Sequence, residues 1–220
     1  MIQKILSYPL SLLAAACFII AICVFQPIQW ICFNVFGYEE HKKSVDALVF
    51  FLNSSLWFLF SYTKSENLHL IPKGKPLIFV ANHQGTMDIV GMAWHFRKFH
   101  PKFVSKIELG RNVPSISYNL RHGGSVLIDR KDPRQALPEL KKMSEYNQKY
   151  NRSAIIYPEG TRTKNGIPGE FASNGLKILC KYAHDAYVVP VTINNSWKVF
   201  RYGKFPLGLF NRINFTVHKP

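Results

Sequence analysis

A histidine and an aspartate five positions apart, His83 and Asp88, are the side chains of this sequence best suited to acid–base chemistry. His83 follows the apolar run 77–81, which is typical of a buried strand, and Asp88 falls in the first turn of a helix-like segment, 86–98. A turn of this length lets the carboxylate reach one imidazole nitrogen and fix its tautomer, which leaves the other nitrogen as a general base. Such a pair needs no protein nucleophile when the substrate brings its own hydroxyl group.

The spacing alone is a weak signal, because His41 and Asp46 are also five residues apart. No strand-like run precedes this second pair, and no glycine beside it opens a pocket. We interpret His41 and Asp46 as polar residues without a catalytic role, and we use them as an internal control.

A second motif, Tyr-Pro-Glu-Gly-Thr-Arg at 157–162, follows the apolar run 154–157. The proline and Gly160 predict a sharp loop from which Arg162 emerges, and the planar guanidinium group matches the oxygens of a phosphate. The alternative is an exposed turn in which Glu159 and Arg162 pair with each other. Two further cations, Lys106 and Arg130, follow the strand-like runs 102–105 and 125–129.

The elements that must position these residues alternate along the chain after residue 64. Short apolar runs predict strands at 77–81, 102–105, 125–129, 154–157, 186–193 and 213–217, and amphipathic runs predict helices at 86–98, 114–121, 133–149 and 171–184. This alternation predicts an α/β fold, with a mixed, mostly parallel sheet flanked by helices. Such sheets bind ligands at the carboxyl ends of their strands, which is where all of the motifs fall.

The first 63 residues have a different composition. A stretch of 34 residues, 5–38, carries no charged side chain, and a second uncharged run, 47–63, follows the polar segment 37–43. The sequence therefore predicts a membrane-associated helical hairpin over 1–63 and an α/β domain over 64–220. A cleaved signal peptide and a buried core hairpin are the alternatives, and a hairpin either spans the bilayer or dips into one leaflet. Either geometry keeps the basic domain on the cytoplasmic face of the membrane.

The charge of the chain restricts its partners. The formal net charge is +15, and because residues 1–63 carry three basic and three acidic side chains, all of it lies in 64–220. An anionic bilayer, a phosphorylated substrate and a nucleic acid would each match this charge. The basic residues are scattered and form no known nucleic-acid motif, and the four cysteines show no metal-ligand spacing. We therefore expect chemistry on a phospholipid or its precursor, with no nucleic acid and no metal.

Four blocks in order resemble the glycerolipid acyltransferases, typified by 1-acyl-glycerol-3-phosphate acyltransferase. They are Asn82-His83-Gln84…Asp88, then Lys106-x-Glu108-Leu109…Pro114…Gly124…Ile128-Asp129-Arg130, then Pro158-Glu159-Gly160-Thr161-Arg162, and finally Val189-Pro190-Val191. The resemblance covers roughly residues 64–217 and extends to the N-terminal apolar helix pair. Members of the family often have serine where Gly85 stands and glycine where Ser117 stands, and many continue beyond the last strand into a further helix.

This resemblance implies a membrane-bound enzyme that transfers a fatty acyl group from acyl-CoA or acyl-carrier protein to lysophosphatidic acid, giving phosphatidic acid. It implies His83 as base, Asp88 as its orienting partner, and Lys106, Arg130 and Arg162 as candidates for the acceptor's phosphate. Glu159, Gly160 and Thr161 would shape the loop, and no cofactor beyond the donor is implied. The alternatives are another lyso-lipid acceptor, such as a lyso-ornithine lipid or another lysophospholipid, and a catalytically inactive lipid-binding scaffold.

The segment 197–210 alternates aromatic and apolar side chains with three cations, and contains no acidic residue. This composition fits either a connecting loop that packs on the sheet or a second membrane contact at the level of the lipid headgroups.

Overall fold

A seven-stranded β-sheet forms the centre of the computed structural model, which describes residues 2–220. The strands are β1 (Tyr62–Glu66), β2 (Leu77–Ala81), β3 (Pro101–Lys106), β4 (Val126–Ile128), β5 (Ser153–Ile156), β6 (Tyr187–Asn194) and β7 (Arg212–Val217). Their order across the sheet is β1-β7-β6-β2-β5-β3-β4, and every pair is parallel except β6 with β7. The predicted α/β class with a mixed, mostly parallel sheet is confirmed.

Six α-helices accompany the sheet in the described residues. They are α1 (Ile2–Ile31), α2 (Tyr38–Ser54), α3 (Thr86–His95), α4 (Ile116–His122), α5 (Pro133–Tyr150) and α6 (Asn174–Tyr182). The start of α5 shows why the sequence folds there: Asp132 caps the helix by accepting hydrogen bonds from the backbone N–H groups of Arg134 and Gln135, and Pro133 occupies the first helical position. Pro138 lies inside this helix without ending it.

The apolar core lies on both faces of the central strands. On β2, Ile78 and Phe79 point to opposite faces of the sheet, and both are almost fully buried. Phe79 packs against Phe96 after α3, with ring centroids 4.7 Å apart, whereas Ile78 belongs to a second cluster with Leu140 of α5 and Leu179 of α6. Strands that are buried on both faces read as continuous apolar runs, which is why the sequence located β2 and β5 so closely.

The two N-terminal helices pack against each other and precede the sheet. Within residues 2–220, α1 with the π-helical turn that continues it to Phe36 is the one helix long and apolar enough to cross a membrane. Its exposed apolar side chains include Ile5, Leu12, Ile19, Val24, Trp30 and Val35. An apolar helix of this kind indicates membrane association.

The second apolar run, 47–63, differs from the predicted hairpin arm. Helix α2 begins directly after Gly37, whose φ of +83° suits glycine, so the polar segment 37–43 starts a helix. The helix ends at Ser54, a 3₁₀ turn covers Ser55–Leu59, and the chain then enters β1. Strand β1 therefore crosses the division that the sequence placed between residues 63 and 64.

Helix α1 is fastened to loops of the α/β domain. The backbone N–H of Leu207 donates to the Ser11 hydroxyl at 2.8 Å, and the Ser115 hydroxyl donates to the Ile22 carbonyl at 2.6 Å. Tyr8 and Phe205 also pack edge to face, with ring centroids 5.5 Å apart. These contacts bring the 197–210 loop beside the apolar helix.

Candidate active site

The carboxyl ends of β2, β5, β3 and β4 are neighbours at one edge of the sheet, and a cavity of about 440 Å³ lies there. Six of the predicted site residues line this cavity, which we call the His83 cavity: His83, Lys106, Arg130, Gly160, Thr161 and Arg162. They come from four different strand ends, so the sheet topology brings together residues up to 79 positions apart.

Asp88 lies behind His83 and is fully buried. Its Oδ2 atom accepts three hydrogen bonds, from His83 Nδ1 at 2.8 Å and from the backbone N–H groups of Gln84 at 2.5 Å and Gly85 at 2.8 Å. The two backbone donors hold the carboxylate at the first turn of α3, where a negative charge is stabilised. The carboxylate in turn fixes the imidazole with its proton on Nδ1, which leaves Nε2 free to accept a proton.

The imidazole ring of His83 stacks on the ring of Tyr157, with centroids 4.2 Å apart and planes 19° from parallel. Tyr157 is buried, and its hydroxyl has no hydrogen-bond partner in the described residues. Burial, assisted by the nearby Asp88 carboxylate, raises the pKa of Tyr157 well above its usual range, so the phenol stays neutral. Tyr157 thus provides a neutral wall that limits rotation of the imidazole.

The loop after β5 holds the backbone of His83 from two sides. The Glu159 carboxylate accepts the His83 N–H at 2.7 Å with Oε1 and the Gly169 N–H at 2.7 Å with Oε2. On the other side, the backbone N–H of Thr163 donates to the His83 carbonyl at 2.9 Å. Glu159 therefore does not pair with Arg162, and the alternative of a surface ion pair is wrong.

Three cations face the His83 cavity, and none of them forms an ion pair with a side chain in residues 2–220. Arg162 and Lys106 are exposed at the rim, and Arg130 lies beside the loop at Gly160. Partial burial lowers the pKa of Arg130, which the Glu108 carboxylate counteracts, and a guanidinium remains charged in either case. Unpaired cations around one cavity suit an anionic group such as a phosphate.

The control pair, His41 and Asp46, has the same five-residue spacing as His83 and Asp88 but does not follow a strand. Asp46 binds the Lys42 ammonium at 2.5 Å, not His41. The His41 ring is buried edge to face against Phe33 and Tyr118, and burial lowers its pKa to about 4. Neither ring nitrogen has a hydrogen-bond partner among the residues described, so His41 is a neutral packing residue.

A narrower cavity of about 100 Å³ adjoins the His83 cavity and shares Ile89 and Phe103 with it. It runs between α2, α3 and α4 and is lined mainly by apolar side chains, among them Leu48, Val90 and Leu120. Because this cavity is mainly apolar and adjoins the His83 cavity at Ile89 and Phe103, it has the chemistry to hold part of a hydrocarbon chain.

Some residues of the site were quoted in the motifs without a role. Asn82 exchanges two hydrogen bonds with the backbone of Ile193, at 2.9 and 2.7 Å, and so fixes the end of β2 to β6. Ser117, where the family often has glycine, bonds the carbonyl of Leu109 and the N–H of Val113 and does not line the His83 cavity. Only the polar character of Asn82 directly after a strand could have indicated its role.

Comparison with known proteins agrees with this geometry. Residues 62–194 match the family model described as Acyltransferase, a range that includes every residue lining the His83 cavity. The chain belongs to the acyltransferase family.

Among curated members of that family, a chloroplastic 1-acyl-sn-glycerol-3-phosphate acyltransferase of Arabidopsis thaliana is 30% identical over 156 residues, which are 70% of this chain and 42% of that protein. A 1-acyl-sn-glycerol-3-phosphate acyltransferase of Helicobacter pylori is 31% identical over 169 residues, 76% of this chain and 68% of that protein. The chain thus spans less than half of the plant relative and about two thirds of the bacterial one.

The crystal structure of the 1-acyl-sn-glycerophosphate (LPA) acyltransferase PlsC from Thermotoga maritima shares the fold. The TM-score is 0.75 at 23% sequence identity, over 99% of this chain and 87% of that one. The match therefore extends through the N-terminal helices as well as the acyltransferase sheet.

Among the residues described, no group of three His, Cys, Asp or Glu side chains is placed to hold a metal ion.

Proposed function

We propose that this acyltransferase transfers a fatty acyl group from acyl-CoA or acyl-carrier protein to the free hydroxyl of 1-acyl-glycerol-3-phosphate, giving phosphatidic acid. The observation that carries the proposal is one cavity lined by three unpaired cations and by His83, whose Nδ1 atom is joined to the buried Asp88 carboxylate at 2.8 Å. The names of the curated relatives support the same acceptor.

The geometry supports a sequence of proton transfers on His83. Nε2 takes the proton of the acceptor hydroxyl as its oxygen attacks the thioester carbonyl, and a tetrahedral intermediate forms. The carbon–sulfur bond then breaks, and the imidazolium gives the proton to the departing thiolate. Asp88 holds the tautomer and stabilises the positive charge in between, and a general base of this kind is worth about 10²–10⁴-fold in rate.

The cations have a separate role in this proposal. Lys106, Arg130 and Arg162 bind the phosphate of the acceptor, while Glu159, Gly160 and Thr161 set the path of the loop. Gly160 has φ of +64°, a conformation that suits glycine and lets the backbone pass close to Arg130. The narrow apolar cavity beside Ile89 and Phe103 receives a hydrocarbon chain.

We also propose that the protein is membrane-bound, with its active site on the cytoplasmic face. Helix α1, the exposed Trp57 and Phe58 after α2, and the exposed Phe205 and Phe210 of the adjoining loop supply apolar side chains for the lipid. Each Lys or Arg near an anionic surface adds about 1 kcal/mol of attraction.

The test is a transfer assay with the full-length protein in mixed micelles, using labelled acyl-CoA and acyl-carrier protein against a panel of lyso-lipids. We expect phosphatidic acid from lysophosphatidic acid, and a loss of about 10²–10⁴-fold for His83→Ala. The control His41→Phe retains activity. Product formed only with another lyso-lipid would contradict the acceptor, and an active His83→Ala variant would contradict the mechanism.

A further inference from the structure

A third and larger cavity, of about 760 Å³, adjoins the His83 cavity at Arg162. Its floor is Gln84–Thr86, its first wall is the loop 162–164, and its second wall is formed by residues of 197–204. We call it the basic cavity. Arg162 lines both cavities, so the two meet at this side chain, and Gln84 in the floor of the basic cavity directly follows His83 in the chain.

Gln84, the residue after His83, ties the two walls of the basic cavity together. Its Nε2 donates to the Gly166 carbonyl at 3.2 Å, and its Oε1 accepts the Ser196 N–H at 3.1 Å. The walls also approach each other directly at Gly166 and Trp197. A Cβ atom added to Gly166 would lie only 2.4 Å from Nε1 of the indole, so the backbone of Gly166 packs closely against this ring. Gly166 has φ of +81°, so both its conformation and its contact with the indole require glycine. The cavity is thus a built feature of the fold.

The lining of the basic cavity is cationic and aromatic. Four cations line it, Arg162, Lys164, Arg201 and Lys204, and no acidic side chain does. Arg201 is held by the Leu209 carbonyl at 2.8 Å and the Asn211 side chain at 2.7 Å. Trp197 and Phe200 add aromatic surface.

The two lysines of the basic cavity, unlike Arg201, are not held by other protein groups. Lys164 and Lys204 are exposed, and no hydrogen bond or ion pair engages either ammonium group within residues 2–220. Cations without acidic neighbours, beside an indole ring, suit a ligand that carries phosphate and a flat or apolar portion.

We propose that the basic cavity binds the phosphate-bearing end of the acyl donor's phosphopantetheine arm. The inference rests on the proposed function, in which the reaction has two anionic substrates and the acceptor's phosphate occupies the His83 cavity. A donor held in the basic cavity reaches past Arg162 and presents its thioester beside His83. Coenzyme A and acyl-carrier protein both bring this phosphate, and coenzyme A adds an adenine ring able to stack on Trp197.

The test measures donor binding without transfer. Desulfo-coenzyme A, which lacks the thiol, is titrated into the full-length protein in detergent, and calorimetry gives its Kd. We expect Lys164→Glu with Lys204→Glu to raise the Kd about tenfold or more, because each substitution turns an attraction for phosphate into a repulsion. The matched control, Lys73→Glu with Lys75→Glu, makes the same change of charge before the amino end of β2 and leaves the Kd within about twofold.

A second titration with holo-acyl-carrier protein identifies the source of the arm. Weakened binding of either ligand in the Lys164 and Lys204 double variant supports the proposal, and the ligand affected identifies the carrier. No binding of either ligand to the wild type, or equal binding to both double variants, would overturn it. In the transfer assay, the Lys164 and Lys204 double variant would also overturn the proposal if its KM for the lyso-lipid rose while its KM for the donor was unchanged. That result would place the acceptor's headgroup in the basic cavity. Failure of the proposed function would look different, because lysine-dependent binding of desulfo-coenzyme A would persist without transfer to lysophosphatidic acid.

Discussion

Replacing Asp88 with asparagine removes the charge behind His83 while keeping the size of the side chain. The Nδ1–Oδ2 distance of 2.8 Å places the charges of an imidazolium and a carboxylate about 4 Å apart. At an effective dielectric constant of about 20, suitable for a fully buried carboxylate, their attraction is about 4 kcal/mol. This attraction exists only after His83 has taken the proton, so its loss lowers kcat by about 10³-fold.

The assay compares kcat and KM of Asp88→Asn with those of the wild type in mixed micelles. We expect the fall in kcat with little change in KM for either substrate, since Asp88 does not line the His83 cavity. Asp46→Asn is the matched control, because Asp46 stands at the same spacing from a histidine but binds Lys42, and it keeps full turnover. A kcat within about tenfold of the wild type would show that the carboxylate does not support the base.

Three further substitutions test the support of the site and the packing of the fold. Glu159→Gln loses one of the two hydrogen bonds that the Glu159 carboxylate accepts from the backbone N–H groups of His83 and Gly169, at a cost of about 1–3 kcal/mol, and we expect a lower kcat with unchanged donor KM. Lys102→Met raises the melting temperature at pH 7, because burial lowers the pKa of this lysine to about 7. Above pH 7, Lys102 holds its proton in the unfolded chain but loses it in the folded protein, so the stability of the wild type increases with pH in this range. If Lys102→Met showed the same increase, Lys102 would not be its cause. Gly91→Ala destabilises by about 1–3 kcal/mol in thermal unfolding, since its Cβ would lie 2.1 Å from the Phe215 ring, and an unchanged melting temperature would contradict this packing.

The sequence predicted every strand of the sheet except β1, which lies at one edge. Strands β2 and β5 are buried on both faces and therefore appear as apolar runs. Strand β1, with the polar sequence Tyr-Thr-Lys-Ser-Glu, was absent from the prediction because it is an exposed edge strand. Its partner β7 lies 150 residues further along the chain, as in the pairing of Tyr62 with Arg212, so no local pattern reveals the contact.

The same distinction applies to the site. The placement of His83, Lys106, Arg130 and Arg162 around one cavity followed from motifs that directly follow strands, because carboxyl ends of parallel strands share an edge. The roles of their neighbours did not follow, since stacking of Tyr157 on the imidazole depends on distances that spacing does not encode. Spacing likewise does not show why His41 and Asp46 do not bind each other. Lys42 lies one helical turn from Asp46 and binds its carboxylate instead.

The pairing of β1 with β7 determines the order in which this chain completes its fold. Strands β2 to β5 and the helices that connect them lie within residues 77–156. This half of the sheet can therefore form during synthesis, before β6 has been made to pair with β2. Strand β1, the first strand after the two N-terminal helices, has no partner until residues 212–217 have been made. Until then, β1 and β6 each leave open backbone hydrogen-bonding groups, of the kind that recruit foreign strands. The interval between synthesis of β1 and synthesis of β7 is therefore the period in which a nascent molecule is most exposed to misassembly.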